Sequence, residues 1–228
     1  MTEAAGPVYT EPQLRRYLER INLPLSGALP LPAPTLENLR RLVAAHLEAC
    51  PFENLALHYS TRRQISLDAE VLFDKFVNRR RGGYCMEQNR AFSIVLRSLG
   101  YDLYTVGGRV VQGLEWGKVM GWNHMAIIVT LDGIEYLVDV GYGSNCLTAP
   151  LPIFNGQIIG DAVAGVIPEE HRVHQAEIPG AGKKGHKIWM LQLRFDSNSE
   201  WQTQYLFEKD IEFFVADYEV YVPKLVSL

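Results

Sequence analysis

Cysteine is scarce in this chain. Cys50, Cys85 and Cys146 are its only three in 228 residues. That is too few for a disulfide framework, and their spacing is not that of a metal site. Positive charge is not in surplus either. The net charge is −4 and the pI is near 5.9, which gives no reason to expect nucleic acid as a partner. No apolar run is long enough to cross a bilayer, so no membrane partner is expected. The N-terminal Met-Thr-Glu-Ala-Ala-Gly-Pro lacks the basic and apolar regions of a signal peptide. Internal repeats and low-complexity tracts are also missing. These absences favour a reducing, cytoplasmic setting and leave the oligomeric state open.

What remains is the composition of an ordinary globular protein, 47% hydrophobic and 21% charged, long enough for one large domain or two small ones. Its most informative stretch is Arg81-Gly82-Gly83-Tyr84-Cys85. A cysteine directly after a glycine-rich turn, at the start of a helix, meets backbone N–H groups and a dipole that favour thiolate. Cys50 and Cys146 read instead as small buried apolar residues.

Two strands supply partners. Residues 124–131 read His-Met-Ala-Ile-Ile-Val-Thr-Leu and residues 134–140 read Ile-Glu-Tyr-Leu-Val-Asp-Val. Asp132-Gly133 between them is a two-residue hairpin signal. That turn pairs Leu131 with Ile134, Val129 with Tyr136, Ile127 with Val138 and Met125 with Val140, all apolar, so this is a core face. On the other face Ala126 pairs with Asp139, and His124 becomes a diagonal neighbour of Asp139. A Cys, a His and an Asp that converge make an acyl-transfer triad.

The first hundred residues carry helical periods. Leu14, Tyr17, Leu18 and Ile21 follow Thr10-Glu11-Pro12, a helix start with proline in its first turn. A Pro-rich connector, residues 29–34, leads to Thr35 as the cap of a second helix with Leu36, Leu39, Leu42, Val43 and Leu47. A third uses Val71, Leu72, Phe76 and Val77. The fourth runs from Cys85 to Leu99 with Phe92, Val95 and Leu96 buried and Gly100 as its stop. Strands are expected at 101–111, 122–131, 134–140, 188–195 and 201–207, with loops and short strands over 147–187. Helices followed by antiparallel strands define an α+β protein. The helical half (1–100) carries Cys85, the strand half (101–215) carries His124 and Asp139, and a cleft is expected where they meet.

Four segments resemble the arylamine N-acetyltransferases. Residues 81–89, Arg-Gly-Gly-Tyr-Cys-Met-Glu-Gln-Asn, resemble the nucleophile motif of that family, and Pro51-Phe52-Glu53-Asn54-Leu55 its Pro-Phe-Glu-Asn signature. Asn123-His124-Met125 and Val138-Asp139-Val140-Gly141-Tyr142-Gly143 resemble its His and Asp segments, in matching order and separation. The resemblance spans most of the chain, from about Glu11 to about Val220. It implies a helical bundle, an antiparallel β-barrel-like domain and an α/β lid. It implies catalytic roles for Cys85, His124 and Asp139, an acceptor pocket lined by Phe52 and Tyr142, and Gly121 beside the coenzyme A site. The implied co-substrate is acetyl-CoA or another acyl-CoA such as malonyl-CoA, with no metal. The implied partner is a small arylamine, arylhydroxylamine or hydrazine that accepts the acyl group. Arg81 and Glu53 read as a structural ion pair, Asn89 as a brace, and His46 and His58 as surface or satisfied core positions. After Val220 the pattern departs from the family, so residues 216–228 read as a remnant of the lead into a lid that is mostly absent. Triad chemistry alone leaves two other readings open: a Cys-His-Asp hydrolase of the papain or transglutaminase kind, and an impaired homologue.

Overall fold

The computed structural model describes residues 6, 8–25, 29–59, 65–113, 118–154, 158–161, 169–178 and 180–219. The helices come first. α1 (Glu11–Arg20) begins after Thr10, whose N–H donates to the Gln13 side chain at 2.9 Å. α2 (Leu36–Ala49) is capped by the Thr35 hydroxyl, which accepts from the Asn38 N–H. α3 (Leu55–Tyr59) is one short turn. α4 (Ala69–Phe73) starts on the Asp68 carboxylate and runs into a π-helical turn at Asp74–Asn78. α5 (Cys85–Ser98) ends before Gly100, whose φ of +87° an L side chain rarely adopts. Two features differ from the sequence expectation: α3 carries no periodic signal, and Val71 of α4 lies on the exposed side, at 45% exposure.

The strands follow: β1 (Asp102–Gln112), β2 (Lys118–Val119), β3 (His124–Leu131), β4 (Ile134–Val138), β5 (Leu151–Pro152), β6 (Ile158–Asp161), β7 (Glu169–Glu177), β8 (Lys187–Arg194) and β9 (Gln202–Phe207). A final short helix, α6, covers Val215–Glu219. The strands form one antiparallel sheet in the order β5-β4-β3-β1-β9-β8-β7-β6, with β2 on β1, which curls into a nearly closed barrel. β7 is a correction to the expected loops and short strands of that stretch: it is nine residues long, and Glu170 to Glu177 pair along the length of β8. Residues 220–228, the end of the expected lid remnant, lie outside the described residues.

The β3–β4 hairpin has the register that its turn dictates. Leu131 faces Ile134, Val129 faces Tyr136 and Ile127 faces Val138. Asp132 and Gly133 both have positive φ, 51° and 77°, as the type I′ turn requires. Both faces of the hairpin are buried, not one. Ile127, Val129, Val138 and Val140 join the helical core around Phe76, Phe92 and Leu96. Ala126, Ile128 and Leu137 join the barrel core around Tyr205 and Phe207. α5 is itself buried from Cys85 to Leu96. The hairpin is thus the shared wall of the two cores and cannot shift without opening both.

Candidate active site

Cys85 is the first residue of α5. The helix start is closed by Glu87, whose carboxylate accepts the Tyr84 N–H at 3.0 Å. Glu87 is buried, and Lys75 neutralises it with Nζ 2.8 Å from both oxygens. Lys75 also lies 3.3 Å from Glu53, and Glu53 pairs with Arg81 at 2.7 Å. The Arg81–Glu53 pair matches the sequence reading. Lys75 and Glu87 were missed, although a Glu at the third position of a helix is a capping signal.

The turn before Cys85 is stitched to the Pro51–Glu53 segment. Gly83 N–H donates to the Pro51 carbonyl at 3.3 Å, and Glu53 N–H donates to the Gly83 carbonyl at 3.0 Å. Gly82 lies so close that a Cβ would sit 1.7 Å from the Pro51 oxygen, so no other residue fits. From inside α5, Gln88 Nε2 donates to the carbonyls of Cys50 and Pro51 at 3.0 and 2.9 Å.

His124 opens β3, and Asp139 follows the last residue of β4. The hairpin register brings them together, with His124 Nε2 2.6 Å from Asp139 Oδ2 and both side chains at most 2% exposed. The second carboxylate oxygen, Oδ1, accepts from Asn89 Nδ2 and from the Gly141 N–H, each at 2.8 Å. Asn89 also donates to the Met125 carbonyl at 2.7 Å and accepts the Val140 N–H at 3.0 Å. It braces α5, β3 and the Asp139 loop against one another. A Cβ on Gly141 would meet the Cys85 carbonyl at 2.7 Å, so the Asp139 loop sits directly against the start of α5.

The electrostatics follow from these partners. Burial raises the Asp139 pKa, but the His124 charge and the hydrogen bonds from His124, Asn89 and Gly141 outweigh it and hold the carboxyl below its ordinary value. Burial lowers the His124 pKa; the charge and hydrogen bond of Asp139, then the Cys85 side chain, outweigh it and hold the imidazole up at about 10. Asp139 occupies Nε2, which leaves Nδ1 for the thiol. Cys85 Sγ lies 3.7 Å from the Asn123 carbonyl, and the residue is 4% exposed. The other thiols are of another kind. Burial pushes Cys50 up to about 11, and burial with the Asp139 charge pushes Cys146 well above its ordinary value.

Two tyrosines wall the imidazole. Tyr142 stands edge-on at 5.3 Å, its hydroxyl donating to the Gln204 carbonyl at 2.8 Å. Tyr205 lies at 4.8 Å and is fully buried. Tyr205 was missed because it arrives from β9, paired to β1 across a long stretch of chain. Phe52 is 43% exposed, its ring 5.7 Å from that of Tyr84 and beside Gly143. Gly121 is exposed, with open space where a side chain would stand. His46 is a satisfied core residue and His58 is exposed. Among the described residues no group of His, Cys, Asp and Glu is arranged to hold a metal ion, and no helix is long and apolar enough to cross a membrane.

A family model described as N-acetyltransferase matches residues 35–221, and the chain is an acyltransferase. It is 35% identical over 241 residues to the N-malonyltransferase FDB2 of Fusarium pseudograminearum, covering 94% of this chain and 69% of that protein. It is 33% identical over 183 residues to the arylamine N-acetyltransferase / N-hydroxyarylamine O-acetyltransferase of Salmonella typhimurium, covering 80% of this chain and 58% of that enzyme. Among solved structures, the Mycobacterium marinum arylamine N-acetyltransferase in complex with CoA superposes with a TM-score of 0.73 at 34% identity, covering 91% of this chain and 69% of that one. The Mycobacterium abscessus enzyme gives 0.77 at 27%, covering 94% and 69%. The chain belongs to the arylamine N-acetyltransferase family, and its acyltransferase activity is of the acetyl or malonyl kind.

Proposed function

We propose that this acyltransferase works by a ping-pong route through Cys85, with acyl-CoA as donor and an arylamine, arylhydroxylamine or hydrazine as acceptor. The observation that carries the reading is the buried His124–Asp139 pair at 2.6 Å, with the imidazole also acted on by Cys85. His124 Nδ1 takes the thiol proton. Asp139 fixes the ring and stabilises its positive charge. The Cys85 sulfur attacks the thioester carbonyl, and backbone N–H groups at the start of α5 stabilise the oxyanion. The bond to the CoA sulfur breaks, and CoA leaves with the proton held by His124. The acceptor nitrogen then attacks the Cys85 thioester and gives its proton to His124. An arylamine suits this step because it is neutral at pH 7.

Phe52 and Tyr142 line the acceptor side of the cleft, and Gly121 flanks the coenzyme side. Residues 1–100 and 101–215 supply the two walls. The test is intact-protein mass spectrometry after incubation with acetyl-CoA or malonyl-CoA, followed by an arylamine. The expected result is one acyl group on Cys85 that the amine removes. A chain that ignores both donors but cleaves peptides or amides is a hydrolase. A chain that does neither is an impaired homologue.

A further inference from the structure

Cys85 stands at the start of α5, and that start is held by a carboxylate. Glu87 Oε2 accepts the Tyr84 N–H at 3.0 Å, one residue before the nucleophile. Glu87 is 3% exposed. A buried carboxylate two residues from a thiol opposes negative charge on the sulfur, against the pull of the helix dipole. It hinders a thiol nucleophile unless a cation cancels it.

Lys75 is that cation. It is 5% exposed, with Nζ 2.8 Å from both Glu87 oxygens and 3.3 Å from Glu53 Oε1. It belongs to the π-helical turn at Asp74–Asn78, where the Arg79 N–H reaches back five residues to the Asp74 carbonyl at 2.9 Å. Such turns are rare and recur at functional sites. The same turn grips the segment before Cys85. The Arg81 N–H donates to the Lys75 carbonyl at 3.0 Å, and a Cβ on Gly83 would sit 2.6 Å from the Phe76 ring. Two other cations are close, but each is engaged elsewhere. Arg81 pairs with Glu53 at 2.7 Å, and Arg20 of α1 donates to the Phe76 carbonyl at 2.9 Å. Among the described residues, Lys75 is the one cation paired with Glu87.

We infer that Lys75 is a positioning residue for Cys85 acylation: through Glu87 it fixes the start of α5, and its charge cancels the carboxylate that would oppose the thiolate. The inference rests on acyl transfer through Cys85. A purely structural pair would set the melting temperature alone. A charge-cancelling pair also sets the pH at which Cys85 reacts, and its two members act with opposite sign. Without Lys75, the Glu87 charge disfavours the thiolate, and the acid-side midpoint of the rate moves up. Without the Glu87 charge, Lys75 favours the thiolate, and the midpoint moves down. The other ionisable groups that act on or beside Cys85 are His124 and Asp139 of the hairpin segment and the phenols of Tyr84, Tyr142 and Tyr218. None of them is altered in the variants below.

The test is the rate of Cys85 acylation by acetyl-CoA or malonyl-CoA against pH, read by quenched intact mass. The proteins are the 228-residue chain, Lys75→Met, Glu87→Gln and the double variant, each with its melting temperature. At neutral pH, Lys75→Met should be slower by on the order of 10- to 100-fold, the size of one unit charge acting across several ångströms at an effective dielectric of about 20. Its KM for the donor should change by less than about 3-fold, since no donor contact is removed. Its acid-side midpoint should rise by about one pH unit, that of Glu87→Gln should fall, and the double variant should return close to the unaltered chain. Midpoints that stay put while only melting temperatures drop overturn the inference, as does a double variant no faster than Lys75→Met. If Lys75→Met does not fold, Glu87→Gln and the double variant decide by the same midpoints. An unaltered chain that takes no acyl group from either donor removes acyl transfer through Cys85 and the inference with it; an acylated chain with unmoved midpoints in the variants overturns the inference alone.

Discussion

The helical half buries His46 and the strand half buries His124 beside the nucleophile, and the two behave as opposites. His46 lies in the helical bundle with no exposure, its Nδ1 2.7 Å from the Tyr17 hydroxyl and its Nε2 2.8 Å from Gln88 Oε1. Gln88 turns its amide nitrogen to backbone carbonyls, so His46 Nε2 carries the proton and Nδ1 accepts from Tyr17. Burial drives its pKa down to about 4 against its hydrogen bond to Gln88. His124 is buried as deeply, yet its pKa rises to about 10. The difference is one carboxylate. Neutral partners leave burial in command, whereas Asp139 overrides it. The same ring is a fixed strut in one half and the partner of a carboxylate beside the nucleophile in the other.

The largest effect comes from exchanging each ring for a neutral amide. His124→Gln should slow Cys85 acylation by roughly 10⁴-fold or more, by the measure of other triads. His46→Gln should change it by less than about 10-fold and lower the melting temperature, because buried groups lose partners. Equal kinetic losses would break the contrast. Asp139→Asn comes next. It should cost about 10³–10⁴-fold in acylation and let the His124 pKa drop, which nitrogen-15 NMR would report. Among the thiols, iodoacetamide at neutral pH should label Cys85 roughly 100-fold faster than Cys50 or Cys146, whose thiols burial holds protonated. Peptide mapping reads this, and equal labelling would contradict it.

The smallest effect is on stability against pH, and its sign differs between the halves. Below 6.5 the unfolded chain protonates His46 while the folded chain resists until about 4. Stability should therefore fall over that interval as pH drops, by on the order of 3 kcal/mol. His124 is the reverse: its contribution is complete below 6.5 and is lost as pH rises toward about 10. Asp139, held low, contributes above its ordinary value of 3.8 and loses this as pH falls through its folded pKa. Urea midpoints across pH should show the acid limb flattened in His46→Gln and the alkaline limb flattened in Asp139→Asn.

The halves also differ in what the sequence disclosed. The β3–β4 hairpin was legible because Asp132-Gly133 fixes its register, and that register carries His124 to Asp139. Cys85 at the start of α5 was legible from the glycines before it and Gly100 after it. Contacts that depend on distant pairing were not. β7, Glu-Glu-His-Arg-Val-His-Gln-Ala-Glu, is too polar to announce a strand; only His171 and Val173 are buried, and β8 supplies its ladder. Tyr205 reaches His124 through β9. The Lys75–Glu87 pair forms where the π-helical turn meets α5, which no local pattern specifies. Val71 looked like core because it is apolar, but it turns outward on a helix only five residues long.

The most direct measurement is the titration of the two imidazoles in the intact chain by nitrogen-15 NMR. His124 should stay a cation through neutral pH and titrate near 10, while His46 stays neutral until near 4. Addition of acyl-CoA should perturb His124 and leave His46 unmoved. A His124 that titrates near 6.5 and ignores the donor would contradict the assignment of Asp139 as its partner and of the ring as the base for Cys85.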